Sequence, residues 1–184
     1  MPILNPGLDP LTISCPKAGM AATPKDLFQR LNDLAIAHHT IEHPATFTVE
    51  EGCHLKASMP GGHSKNLFMK DKDGVLVLIS AWTDSQLKLN QVHKLIGTRR
   101  LSFASADLMQ ETLGVAPGSV TAFALMNDHE KRVRFIVDAA LMGFETINFH
   151  PLVNTATTAI SRDDLPRFVE ATGRALTVID FSTL

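Results

Sequence analysis

One lysine sits where a glycine-rich loop runs into an apolar stretch, in Met59-Pro60-Gly61-Gly62-His63-Ser64-Lys65-Asn66-Leu67-Phe68-Met69-Lys70. Strand alternation groups Lys65 with Leu67 and Met69, and puts Asn66, Phe68 and Lys70 on the other face. A cation on such a face calls for an anionic partner or an anionic ligand. A surface lysine at a fraying strand end fits the same residues. The histidines offer different chemistry. His39 and His43 are four apart, which on a helix would be half a zinc site. Pro44 instead pushes His43 toward an extended backbone, and Thr40-Ile41 favour a strand. No cysteine or carboxylate cluster completes a metal site, so none is expected, and neither is a cofactor. A second loop rich in glycine and hydroxyls is Val115-Ala116-Pro117-Gly118-Ser119-Val120-Thr121-Ala122-Phe123.

Several common chemistries lack their signatures. There is no Gly-x-Gly-x-x-Gly after a strand and no P-loop, which argues against nucleotide-cofactor folds. No Gly-x-Ser-x-Gly nucleophile elbow occurs.

The elements that must position these residues are read from periodicity and breakers. Residues 1–22 carry four prolines and no apolar period, and read as an extended or mobile leader to a single domain over 23–184. Thr23-Pro24-Lys25-Asp26 opens an amphipathic helix over 24–37 with a capping box. Thr48 and Glu51 suit a second, short helix start. Strand 65–70 turns at Asp71-Lys72-Asp73-Gly74 into 75–79, a run apolar on both faces and therefore central. A helix is predicted over Asp84–Gly97, a short strand at 101–103, and a helix from Ser105 or Ala106 to Leu113. Strands follow at 132–138, 146–149, 155–160 and 176–179. A short helix starts at Asp138; Ser161-Arg162-Asp163-Asp164 looks like another helix start, but Pro166 would then fall in its second turn, which moves the start nearer Leu165. The class is α/β, mixed α+β, without the regular βαβ alternation of a doubly wound sheet.

The chain of 184 residues is long enough for one substantial core. No apolar run reaches the length of a membrane span, and no signal peptide is recognised. Cys15 and Cys53 lie far apart in no metal spacing, which suits a reducing cytoplasm. The net charge of −2 argues against a protein that coats nucleic acid. Its distribution is uneven: residues 56–100 hold eight Lys or Arg against three acids, a local basic sector suited to a limited phosphate segment.

Five separated stretches, in order, resemble one known family. They are His43-Pro44-Ala45-Thr46-Phe47-Thr48, Met59 to Lys70, Pro117-Gly118-Ser119-Val120-Thr121, Leu125-Met126-Asn127-Asp128 and Asn148-Phe149-His150-Pro151-Leu152-Val153-Asn154-Thr155-Ala156-Thr157-Thr158. The family is the YbaK-type, prolyl-tRNA synthetase-associated editing domain, and the subgroup is the free-standing Ala-tRNA(Pro) deacylases. The resemblance implies a mixed, partly closed sheet with surrounding helices. It implies a metal-independent hydrolase of the ester between a wrong amino acid and tRNA. The partners it implies are the acceptor end of mischarged tRNA(Pro) and prolyl-tRNA synthetase. The family's key lysine falls on Lys65, its substrate loop on Gly118 and Ser119, and its histidine on His150. Relatives often carry proline where this chain has Ala122, which would stiffen that loop.

Those implications give the residues roles. Gly118 and Ser119 would present backbone N–H groups to the oxyanion of ester hydrolysis. Lys65 as nucleophile or base needs a neutral amine, whereas an ammonium beside a phosphate or the oxyanion does not; the electrostatic role is preferred. His150 would orient a ribose hydroxyl or water, or simply mark a His-Pro turn. Thr46, Phe47, His63, Ser64, Thr121 and Asn154 would line the substrate pocket. Two other readings compete: a non-catalytic nucleic-acid-binding or regulatory protein on this fold, and a zinc hydrolase using His39, His43 and another histidine.

Overall fold

Ten consecutive residues, Gly62–Asp71, form the strand on which the rest of the sheet is assembled. The computed structural model describes residues 20–45 and 57–184. Thr46, Phe47, the Thr48–Glu51 cap, Cys15 and Cys53 lie outside the described residues. The elements in chain order are α1 (Pro24–Asp33), β1 (His38–Glu42), β2 (Gly62–Asp71), β3 (Leu76–Trp82), α2 (Leu89–Ile96), β4 (Leu101–Phe103) and α3 (Ala106–Leu113). After a 3-10 helix (Ala122–Asn127) come β5 (Val133–Asp138), α4 (Ala139–Met142), β6 (Thr146–Phe149), β7 (Ala156–Ser161), α5 (Leu165–Ala171) and β8 (Thr177–Ile179).

The described sheet has eight strands in the order β1-β7-β6-β2-β3-β5-β8, with β4 also on β2. It is mixed: β3 runs parallel to β5 and β5 to β8, while β1, β7 and β6 are joined antiparallel. On one edge β2 pairs with β3 along its length, from Ser64↔Trp82 to Lys70↔Leu76. On the other edge it changes partner. Gly62 and His63 pair with Ile147 and Asn148 of β6, and Met69 to Asp71 pair with β4. Residues 64–67 therefore run along a split between two partners, and a split in a sheet gives side chains and loops access to its centre.

The pattern of β3 sets the layers. Leu76 and Leu78 join a main core with Phe68, Val133, Phe135 and Val137. Val77 and Ile79 join a second cluster with Met69, Ile136 and Phe181. Covered on both faces, β3 is the central strand its continuous apolar run predicts. The hairpin between β2 and β3 closes as its Asp-Gly sequence requires, with Gly74 at φ +88° and Asp71 Oδ1 accepting from the Asp73 and Val75 N–H groups.

Helix α1 starts as predicted. Thr23 caps it, Pro24 stands in the first turn, and the Asp26 carboxylate returns the bond to Thr23 N at 2.8 Å. Thr23→Ala is expected to cost about 1 kcal/mol, measured as a fall in the denaturant midpoint at unchanged m-value. The helix ends at Asp33, short of residue 37. Ala35 takes a left-handed φ of +53°, and Ile36 N bonds back to Leu31 O, which turns Ile36 into the core. The segment 84–88 also departs from the predicted helix. Its backbone is engaged elsewhere, and α2 begins only at Leu89.

Candidate functional site

Lys65 lies on the β2 face that carries Leu67 and Met69, opposite Ala81 of β3. Its Nζ donates to the backbone carbonyl oxygens of Thr83, at 2.9 Å, and Ser85. Both partners are neutral acceptors. An ammonium has three N–H donors, so this grip leaves one for a ligand. The carbonyls are presented by a loop that is itself tied down. Ser85 Oγ donates to Asp138 Oδ2 at 2.6 Å, and Trp82 N donates to the same oxygen at 3.4 Å. Asp138 is buried at 1% exposure and also caps α4 through Ala140 N. These bonds are why residues 83–88 do not form the first turn of a helix.

Three histidines converge near the β2–β6 junction. His63 pairs in register with Asn148 and donates through Nε2 to Met59 O at 2.8 Å. His150 follows β6 and bonds through Nδ1 to Ala156 O at 2.9 Å. A carbonyl only accepts, so the proton is assigned to Nδ1 and the neutral ring presents Nε2 as an acceptor. Burial pushes the His150 pKa below the usual histidine value. The bond to Ala156 works the other way, and the nearby His43 and His63 add to the lowering. His43 stands 6.2 Å from His150, centroid to centroid.

Ser64 and Asn148 join the two halves of the sheet. Ser64 Oγ donates to Asn148 O at 2.8 Å, and the Asn148 amide donates to Pro60 O and Gly62 O at 3.4 and 3.5 Å. The loop predicted over 59–64 is thus shorter than its composition suggests, because His63 and Ser64 already belong to β2.

The second glycine loop is a turn. Ser119 N donates to Ala116 O at 3.0 Å, with Pro117 and Gly118 at the centre and Gly118 at φ +86°. Proline followed by a positive-φ glycine is the type II pattern. A Cβ on Gly118 would meet only Asn154 Nδ2, at 3.5 Å, so space is available and the conformation is the obstacle. Gly118→Ala is expected to cost about 1–2 kcal/mol, read as a lowered melting temperature with the turn otherwise retained. The Ser119 N–H is spent inside the turn and its side chain is buried. Of the two N–H groups assigned to an oxyanion, that of Gly118 is the one the turn leaves available. Thr121 is placed as a cap: fully buried, its hydroxyl accepts from Phe123 N at the start of the 3-10 helix, so it supports the loop from inside. Ala122 is the first residue of that helix and is also fully buried.

The structure thus links Lys65 to His63 along one strand face, His63 to His150 through space, and Asn154 of the His150 loop to Gly118. Leu152 holds that loop, with φ +67° and its side chain in the core. Sequence reasoning missed Thr83 and Ser85, since a backbone carbonyl has no sequence signature. It read Asp138 as a strand end and helix start, and gave His43 no role in the substrate site. Both ring nitrogens of His43 are engaged, Nδ1 with Pro44 O at 3.0 Å and Nε2 with Thr157 Oγ1 at 2.8 Å. Among the described residues, no group of three or more His, Cys, Asp or Glu is placed to hold a metal ion.

A mixed sheet split along β2, with a lysine, a histidine cluster and a glycine turn beside the split, makes this an α/β domain. The family model described as "Aminoacyl-tRNA editing domain" matches residues 43–168, and the chain belongs to that family. Among its relatives is the prolyl-tRNA synthetase associated domain-containing protein 1 of Mus musculus, 38% identical over 161 residues, covering 85% of this chain and 95% of that protein. Another is the prolyl-tRNA editing protein ProX of Acetoanaerobium sticklandii, 33% identical over 152 residues, with 82% and 93% covered. The fold matches a solved structure described as a candidate trans-editing enzyme for prolyl tRNA synthetase, with TM-score 0.65, 20% identity, and 86% and 96% of the chains covered.

Proposed function

We propose that the protein is a trans-editing deacylase that hydrolyses the ester of mischarged tRNA(Pro), with Ala-tRNA(Pro) as its main substrate. The observation that carries the reading is the Lys65 ammonium, fixed by two neutral carbonyls on the same strand face as the histidine cluster, in a chain of the editing family. Water adds to the ester carbonyl carbon, the bond to the terminal ribose oxygen breaks, and that oxygen leaves as a hydroxyl. Charge builds on the carbonyl oxygen in the transition state, where a fixed donor contributes most. Lys65 supplies its remaining N–H to that oxyanion or to the phosphate of the terminal adenosine, and the Gly118 N–H is a second donor. The neutral Nε2 of His150 accepts from a ribose hydroxyl or from the water, and the terminal 2′-hydroxyl activates that water. The Lys and Arg side chains of residues 56–100 suit the phosphates of a single-stranded acceptor end.

The need for such an enzyme follows from discrimination energies. A synthetase pocket sized for proline excludes alanine only through lost apolar contacts, worth about 10–200-fold per methylene. A second site that hydrolyses the alanyl ester supplies the remainder. The test is a deacylation panel of Ala-, Cys-, Ser- and Pro-tRNA(Pro). Fastest release from the alanyl ester supports the assignment, and equal rates for all four esters would refute the substrate.

The state of His150 gives a pH signature. With its folded pKa below the unfolded value of 6.5, the ring stays neutral as pH falls through 6.5. The acid limb of kcat/KM is therefore expected below that pH. Between the two pKa values the unfolded chain binds more protons at this residue than the folded one. Stability rises with pH across that window and is lost as pH falls through it. A pH–rate profile paired with thermal melts checks both signs.

A further inference from the structure

His43 is a histidine of the site that the catalytic scheme above does not use. It follows β1, and its backbone N–H donates to Thr155 O at 2.9 Å. Its Nδ1 faces Pro44 O, so that nitrogen carries a proton, and in the neutral ring Nε2 accepts from the Thr157 hydroxyl at 2.8 Å. His150 is held by the residue between those two, Ala156, through its carbonyl. Ala156 and Thr157 thus fasten the two imidazoles and Thr155 the His43 backbone, and the rings stand 6.2 Å apart at an interplanar angle of 53°. Neither ring can turn without breaking a bond to the start of β7.

We propose that His43 is a positioning residue for deacylation, which works with the Thr155–Thr157 segment to hold the His150 imidazole uncharged with Nε2 available to the substrate. The physical basis is the shared anchor together with burial of the His150 ring, to which repulsion between the rings adds. Two imidazoles at this separation, partly shielded from water, resist carrying two charges. His150 is also faced by His63 of β2. Among the described residues His43 and His63 are the titratable groups that bear on it, and both act against its protonation. His63 is held by β2's pairing with β6 and by Met59 O, whereas His43 shares the β7 anchor with His150. His43 is therefore the one whose orientation is tied directly to that of the His150 ring.

The inference deepens the deacylase reading and takes its catalytic meaning from it, but its test needs no activity. Imidazole NMR would follow the His150 titration in the full chain, in wild type, His43→Phe and His43→Gln. Phenylalanine keeps a ring in place and removes the charge. Glutamine removes the charge and keeps an acceptor for Thr157. The His150 midpoint is expected to move up toward the ordinary histidine value in both variants, with its proton still on Nδ1. If the phenylalanine variant does not fold, the glutamine variant carries the test. A midpoint that fails to rise in a folded variant, or a rise confined to the glutamine variant, where water can enter, overturns the proposal. The same upward movement is expected in the acid limb of kcat/KM of both variants. Loss of deacylation with no movement of that limb counts against the positioning role. Absence of deacylation in the wild type counts against the enzyme assignment alone.

Discussion

Replacing Lys65 with alanine is expected to lower kcat/KM for deacylation by about 10²–10³-fold, the scale seen when one preorganised oxyanion donor is removed. The fold is expected to survive. The side chain is only half-buried, and the two carbonyls it leaves, Thr83 O and Ser85 O, belong to a loop that water can reach. Ser85 Oγ and Trp82 N still anchor that loop to Asp138. Partition of the loss identifies the group that Lys65 meets. An ammonium on the terminal phosphate binds ground state and transition state alike, so its removal raises KM. An ammonium on the oxyanion acts only in the transition state, so its removal lowers kcat and kcat/KM together. Lys65→Arg is not a conservative control, because a planar guanidinium does not reproduce the grip of a compact ammonium on two carbonyls.

The largest expected effect on stability lies away from the cleft. Asp128 accepts from Arg132 N, Val133 N and the Arg174 guanidinium, and also caps the turn that starts β5. The two side chains are 2% and 7% exposed. Arg174 spends its other donors on Val133 O, Leu125 O and Thr172 O, so the pair fastens the 3-10 helix, β5 and the end of α5 together. Asp128→Ala leaves the guanidinium buried without its counter-charge. Breaking a buried pair from one side costs about 3–5 kcal/mol, a large share of the roughly 5–15 kcal/mol that holds a typical domain folded. Denaturant unfolding is expected to show that loss. By contrast, the exposed pair of Arg99 with Asp73 is of the kind that contributes at most about 1 kcal/mol.

How far the sequence reaches depends on the kind of interaction. Local signals carry through: the Thr23 cap, the Asp71–Gly74 hairpin, Gly97 and Gly114 as left-handed helix ends, and Val133, Phe135 and Val137 on one face of β5. Each is decided by a few neighbouring residues. The Lys65 face was legible in the same way, from alternation with Leu67 and Met69. The partner of that lysine was not, because carbonyl oxygens twenty residues away leave no mark on side-chain identity. The late start of α2 has the same origin: Asp84-Ser85 looks like a helix entrance, but Ser85 is taken by Asp138 from another strand. For His43 the extended backbone was legible from Pro44 and Thr40-Ile41, but its partners were not: pairing of β1 with β7 sets it against Thr157 and His150. For Thr121, which the resemblance puts in the pocket, the sequence did not show the buried hydroxyl accepting from Phe123 N.

The deacylase reading places one reaction at one lysine, and the decay of Ala-tRNA(Pro) with purified wild type and Lys65→Ala side by side, each compared with the uncatalysed ester, tests it most directly. Rapid release of alanine by the wild type is expected, with a rate close to background for the folded variant. Decay at the background rate with the wild type, or full activity in Lys65→Ala, would overturn the reading.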